Sequence, residues 1–235
     1  MARAIRFHDV VALAGTFPLL AGIDLDVVEG EVVHLRGANG AGKTSLLRAV
    51  AGLVAITSGE AEVLGHDLRV DRRSVRREIG LLGHSSFLYE ELNARDNLRF
   101  AAKAARVEPR AVAPALERVG IVGRLATVPV ARLSSGQRRR TAIAVLLARW
   151  PRLWLLDEPH AGLDEGARQL VDDVISEVRA AGRTVLVASH ELGRAGQLAD
   201  RTVTIAGCQA LPFAAPAPAA ADQAGEQPKV VVRAV

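Results

Sequence analysis

The chain has 235 residues, 49% of them hydrophobic and 24% charged, with a formal net charge of +4. This length and composition exclude a wholly disordered chain and a collagen-like repeat, and leave enough sequence for one large domain or two small ones with a real core. Its only cysteine, Cys208, excludes an intrachain disulfide and a metal site built on several thiolates.

The first eleven residues hold His8 and Asp9 where a signal peptide would carry its apolar core, so secretion is not expected. No stretch approaches the 18 or more consecutive apolar residues of a membrane-spanning helix. The expectation is a cytosolic chain; if it works at a membrane, another chain supplies the span. Residues 32–35 form a short apolar run that ends in glycine-rich sequence and predict a buried strand. His34 within it reads as a satisfied core histidine.

Gly37-Ala38-Asn39-Gly40-Ala41-Gly42-Lys43-Thr44 then fits G-x-x-x-x-G-K-[ST], placed between that strand and a helical pattern over residues 43–53. Glycines let successive N–H groups curl around a phosphate, and the helix aims its N-terminus at the same anion. Lys43 can reach the β- and γ-phosphates, the Thr44 hydroxyl can ligate Mg²⁺, and Ser45 completes the loop. Arginine dominates the basic residues, 27 against 3 lysines. The runs Arg72–Arg73, Arg76–Arg77 and Arg138–Arg140 are short, and each reads as a solvated helix face rather than a nucleic-acid track.

Residues 92–127 are rich in Ala and Arg with apolar spacing of three and four, and predict helices with no strand between them. Ser134, Ser135 and Gly136 precede a helix predicted through residues 138–149, where they form either an ordinary N-cap or an anion site. Residues 153–156 are a second buried strand, ending in Asp157 and Glu158. Beside the phosphate loop Asp157 would lie near Mg²⁺, and Glu158 is a candidate general base for an attacking water. Residues 184–189 are a third strand, with His190 at its end. From residue 209 Ala and Pro dominate, and residues 209–235 are expected to be a disordered or loosely held tail.

Leu133-Ser134-Ser135-Gly136-Gln137, 20 residues before Asp157, resembles the LSGGQ signature of the ATP-binding cassette (ABC) ATPases. Asp157-Glu158-Pro159, Ala161-Gly162-Leu163-Asp164 and Ser189-His190 follow in the family's order. The resemblance covers roughly residues 4–208. It implies an α/β fold: a P-loop NTPase (RecA-like) core with a mostly parallel sheet, an N-terminal antiparallel β region and a helical subdomain inserted at about 85–145. It also implies ATP and Mg²⁺ as ligands, His190 as the switch histidine at the γ-phosphate, and Asp164 in the D-loop. Ser134, Ser135, Gly136 and Gln137 would close over ATP held by a second copy, giving a head-to-tail homodimer. Integral-membrane transporter subunits would be the partners, with the chain on the inner face of the cell membrane and no nucleic acid involved.

Three positions depart from the family pattern. His84 stands where the Q-loop glutamine is expected and could act on Mg²⁺ or its water. Ser135 replaces the first glycine of the signature pair. The position of the adenine-stacking aromatic falls near Ala14, and Phe17, the nearest aromatic, is either that residue or core, so GTP stays open beside ATP. Phe87-Leu88-Tyr89-Glu90-Glu91 is the segment expected to meet membrane subunits, unless its aromatics belong to the helical core. Gly83-His84, residues 96–100 and the DEPHAGLD and SHEL segments are similar to the ATPase subunits of cytochrome c maturation exporters, which implies haem handling. The alternatives are an exporter ATPase for a drug, lipid or polysaccharide, a soluble ABC ATPase outside transport, and a phosphate-loop NTPase of another family.

Overall fold

A computed structural model describes residues 2–190 and 192–211. In chain order the elements are β1 (Arg3–Ala14), β2 (Phe17–Val28), β3 (Val32–Arg36), α1 (Lys43–Val50), β4 (Ser58–Val63), β5 (His66–Asp67), α2 (Leu68–Asp71) and β6 (Ile79–Leu82). Then follow α3 (Ala94–Ala105), α4 (Val112–Arg118), α5 (Ser135–Arg149), β7 (Leu153–Asp157), α6 (Glu165–Ala180), β8 (Thr184–Ala188), α7 (Leu192–Leu198), β9 (Arg201–Ala206) and β10 (Gln209–Leu211). Short 3-10 turns link several of them.

Two sheets carry the fold. One has the order β2-β1-β4-β5 and is antiparallel throughout. The other has the order β10-β9-β3-β8-β7-β6, with every pair parallel except β10 on β9. β7 and β8 are buried along their whole length, as a parallel strand covered on both faces must be. Their alternate residues separate two cores. Leu153, Leu155, Leu186 and Ala188 face α1 and the antiparallel sheet, whereas Trp154, Leu156, Val185 and Val187 face the helices α3 to α6.

This is the expected architecture, including the antiparallel N-terminal region and the inserted helices. Two boundaries differ. The helix predicted over 43–53 stops at Val50, because Gly52 takes a φ of 66° and its N–H returns to the Ala49 carbonyl. A Cβ on Gly52 would lie 2.1 Å from the Arg72 carbonyl oxygen, so no other residue fits that turn. The tail does not begin at Gln209. Residues 209–211 pair with β9, because Cys208 turns the chain back at a φ of 63° and anchors it between Ala21 and Ala41. The rest of that expectation, residues 212–235, lies outside the described residues.

Candidate nucleotide site

The phosphate loop leaves β3 and enters α1. It passes so close to β9 that a Cβ on Gly37 would sit 2.4 Å from the Ile205 carbonyl oxygen. Lys43 is 7% exposed, and its Nζ donates to the Gly37 carbonyl at 2.7 Å and the Ala38 carbonyl at 3.0 Å. Among the described residues no carboxylate forms an ion pair with this nearly buried ammonium, and an incoming phosphate would supply that partner. No acidic side chain occupies the first turn of α1, so the positive end of that helix is not neutralised locally.

β7 delivers the second half of the site. The Thr44 hydroxyl donates to Asp157 Oδ2 at 2.8 Å. Two oxygens at that separation match neighbouring ligands of an octahedral Mg²⁺, whose bonds are about 2.1 Å long. Mg²⁺ suits this donor set, because it keeps several waters and takes its other ligands from phosphate. No cluster of three or more His, Cys, Asp or Glu side chains able to hold a metal occurs among the described residues. When bound, the ion would neutralise phosphate charge. One residue further, Glu158 adopts a φ of 46°, a left-handed backbone unusual for a side chain of its size. Its Oε2 lies 3.0 Å from Nδ1 of His190, at the end of β8.

Asn39 through Ser45, Asp157 and Glu158 line one cavity of about 250 Å³, together with Phe17, Pro18, Leu19 and Cys208. Phe17 is 71% exposed and therefore not core. It sits at the start of β2, directly opposite Ala14. Cys208 also reaches the site, which composition gave no reason to expect.

Other expected residues stay outside this cavity. His84 is exposed in the loop after β6 and does not line the cavity. Ser134 caps α5 in a reciprocal box: its Oγ accepts from the Gln137 N–H at 3.2 Å, and Gln137 Oε1 accepts from the Ser134 N–H at 2.9 Å. Ser135 is exposed beside it. Gly136 neighbours the segment after β7, since a Cβ there would meet the Gly162 oxygen and Leu163 Cδ2 at 3.9 Å. Asp164 caps α6 by accepting from the Ala167 N–H at 2.8 Å. His160 is buried rather than turned to the site, with Nε2 2.8 Å from Asp172 Oδ1, while Arg194 donates to Oδ2 of the same carboxylate at 2.6 Å.

Arg139 was missed by reading its run as a solvated face. It is half-buried, and its guanidinium donates to the carbonyls of Gly83 at 2.5 Å, Asp157 at 2.7 Å, Glu158 at 2.6 Å and Pro159 at 3.4 Å. Burial pushes its pKa down, opposed by the nearby charges of Asp157 and Glu158. The only local signal was an Arg five residues after the signature serine.

Another concavity, about 370 Å³, lies elsewhere, between α3, α5 and the loop after β6. Phe87, Tyr89 and Phe100 line it and are each at least half exposed. The Tyr89 and Phe100 rings meet edge to face at 5.0 Å. These aromatics are therefore surface, not core of the helical subdomain.

The family model for the ABC transporter matches residues 20–161. The chain belongs to the ABC transporter family. It is an ATPase of the ATP-binding cassette type. It is 43% identical over 176 residues to the cytochrome c biogenesis ATP-binding export protein CcmA of Bordetella bronchiseptica, covering 74% of this chain and 78% of that protein. It is 36% identical over 209 residues to the glutamine transport ATP-binding protein GlnQ of Escherichia coli, covering 86% of this chain and 87% of that one. Among solved structures, the ATP binding subunit of an ABC transporter superposes with a TM-score of 0.80 at 27% identity, covering 88% of each chain. No helix among the described residues of this ABC ATPase is long and apolar enough to cross a membrane.

Proposed function

We propose that this chain is the ATP-hydrolysing subunit of an exporter that serves cytochrome c maturation, with haem as the cargo chemistry. The observation that carries the hydrolytic part is the convergence of Lys43, Thr44, Asp157 and Glu158 on one cavity, with His190 3.0 Å from Glu158. ATP places its phosphates on the loop and the N-terminus of α1, and Phe17 stacks on the base. Thr44 and Asp157 hold Mg²⁺. Glu158 accepts a proton from the attacking water, and His190 orients that carboxylate. Ser134 to Gln137 sit outside their own chain's cavity, which supports a head-to-tail dimer in which each signature serves the partner's ATP. Membrane subunits dock in the groove of Phe87, Tyr89 and Phe100, whose exposed aromatic rings offer a ready apolar anchor.

The cargo reading rests on the similarity to CcmA of Bordetella bronchiseptica and of Cupriavidus pinatubonensis. The similarity to GlnQ favours a second reading, the ATPase of an amino-acid importer. Deleting the chain in its native cell and staining c-type cytochromes for haem separates the two. Loss of stained cytochromes, restored by the wild-type chain but not by Lys43→Ala, is expected. Normal cytochromes with lost glutamine uptake would favour the importer. Copurification identifies the membrane partner in either case.

A further inference from the structure

The guanidinium of Arg139 binds two separate stretches of chain at once, Gly83 and the run from Asp157 to Pro159. Gly83 directly follows β6, Asp157 ends β7, and Glu158 and Pro159 open the turn that follows. All four acceptors are backbone carbonyls, so what Arg139 fixes is the course of the main chain. Among them is the Glu158 carbonyl, on a residue whose φ of 46° is costly and needs support from its surroundings. A guanidinium has five N–H donors in a rigid planar fork, and this arrangement engages donors on Nε, Nη1 and Nη2 together. An ammonium is a compact point charge on a flexible stem and cannot span the same acceptors. Arg139 also rides on α5, five residues beyond its N-cap Ser134, so it ties the signature helix to the end of β7.

We propose that Arg139 is a positioning residue for ATP hydrolysis: it holds the backbone of Glu158 in the left-handed conformation that points the carboxylate at His190 and the attacking water. This rests on the reading of Glu158 as the general base.

The test compares Arg139→Lys, which keeps the charge and loses the fork, with Arg139→Gln, which loses the charge. In the full-length protein, ATP turnover, direct ATP binding and thermal unfolding are measured side by side. Each variant is expected to lower kcat about tenfold or more while the Kd for ATP stays within about twofold, because the phosphate contacts lie on another element. A folded variant with kcat within about twofold of wild type overturns the proposal. Loss of the fold in both variants overturns it as well, since the role would then be purely structural. In a Glu158→Gln background, adding Arg139→Lys should change the residual turnover less than about twofold, because the group it positions is already disabled. A further tenfold loss there, about as large as in the wild-type background, also overturns it. Wild-type turnover by Glu158→Gln alone would overturn the assignment of the base, a failure distinct from each outcome for Arg139.

Discussion

The Thr44 hydroxyl and the Asp157 carboxylate meet at 2.8 Å although 113 residues separate them. The contact joins the first turn of α1 to the last residue of β7, and brings together the hydroxyl and the carboxylate that would hold Mg²⁺ under the proposed function. Asp157→Asn keeps the shape and can still hydrogen-bond Thr44, but removes the charge. ATP affinity measured with Mg²⁺ should fall about tenfold, while affinity measured in EDTA stays within about twofold. Equal losses in the two titrations would place Asp157 outside the metal's reach.

Glu158 lies one residue further and has a different task. Glu158→Gln retains size and most hydrogen bonding but cannot take a proton. Turnover should drop by about a hundredfold or more with ATP affinity within a few-fold of wild type. Single-turnover hydrolysis beside a direct binding assay checks this, and near-normal hydrolysis by pure variant protein would remove Glu158 from the role. Lys43→Ala should do the reverse and lose ATP affinity first, since it removes the charge on the phosphates.

Much of this site was legible because its signals are local in sequence. The phosphate loop is a contiguous motif, and the runs at 32–35, 153–156 and 184–189 are apolar on both faces, as strands inside a covered parallel sheet must be. The capping box at Ser134 and Gln137 is also a three-residue relationship. What escaped depends on contacts between distant segments. Arg139 looks like the middle of a basic run, and only its acceptors, up to 56 residues away, turn it inward. Phe17 could be core or surface until the β1–β2 hairpin put it beside the loop. His160 looks like a loop residue until α6 brings Asp172 under it. Gln209 to Leu211 lack a strand pattern of their own and are recruited by the free edge of β9.

His34 supplies a pH test. It is 1% exposed in β3, with Nε2 3.1 Å from the Ser189 carbonyl oxygen and Nδ1 3.4 Å from Thr202 Oγ1. Burial pushes its pKa below the usual value, and the Ser189 carbonyl only partly offsets this. The unfolded chain therefore takes up a proton at about pH 6.5 while the folded chain does not. Stability from this group is complete above that pH and is lost as pH falls towards the lowered folded value, by at most about 1.4 kcal/mol per pH unit. His34→Gln keeps a donor for Ser189 and removes the titration. Urea unfolding from pH 5 to 8 should show a shallower acid decline for the variant than for wild type, and parallel curves would contradict a neutral buried imidazole.

The last expectation concerns the signature. Gly136 sits in the first turn of α5 with only ordinary contacts, 3.9 Å, awaiting a Cβ, so a side chain fits without disturbing the monomer. Gly136→Ala should therefore fold and bind ATP normally. Gly136→Asp adds a carboxylate where, in a head-to-tail dimer, the partner's γ-phosphate would arrive. Like charges about 4 Å apart repel by about 4 kcal/mol at an effective dielectric near 20, roughly a thousandfold in association. The monomer should keep its ATP affinity, because Ser134 to Gln137 do not line its own cavity. Sedimentation with ATP and Mg²⁺ in a Glu158→Gln background makes the comparison clean, since hydrolysis cannot reopen the dimer. Glu158→Gln alone should sediment as a dimer, and the double variant with Gly136→Asp as a monomer of unchanged ATP affinity. A dimer that persists with Gly136→Asp would show that the signature does not close over the partner's nucleotide.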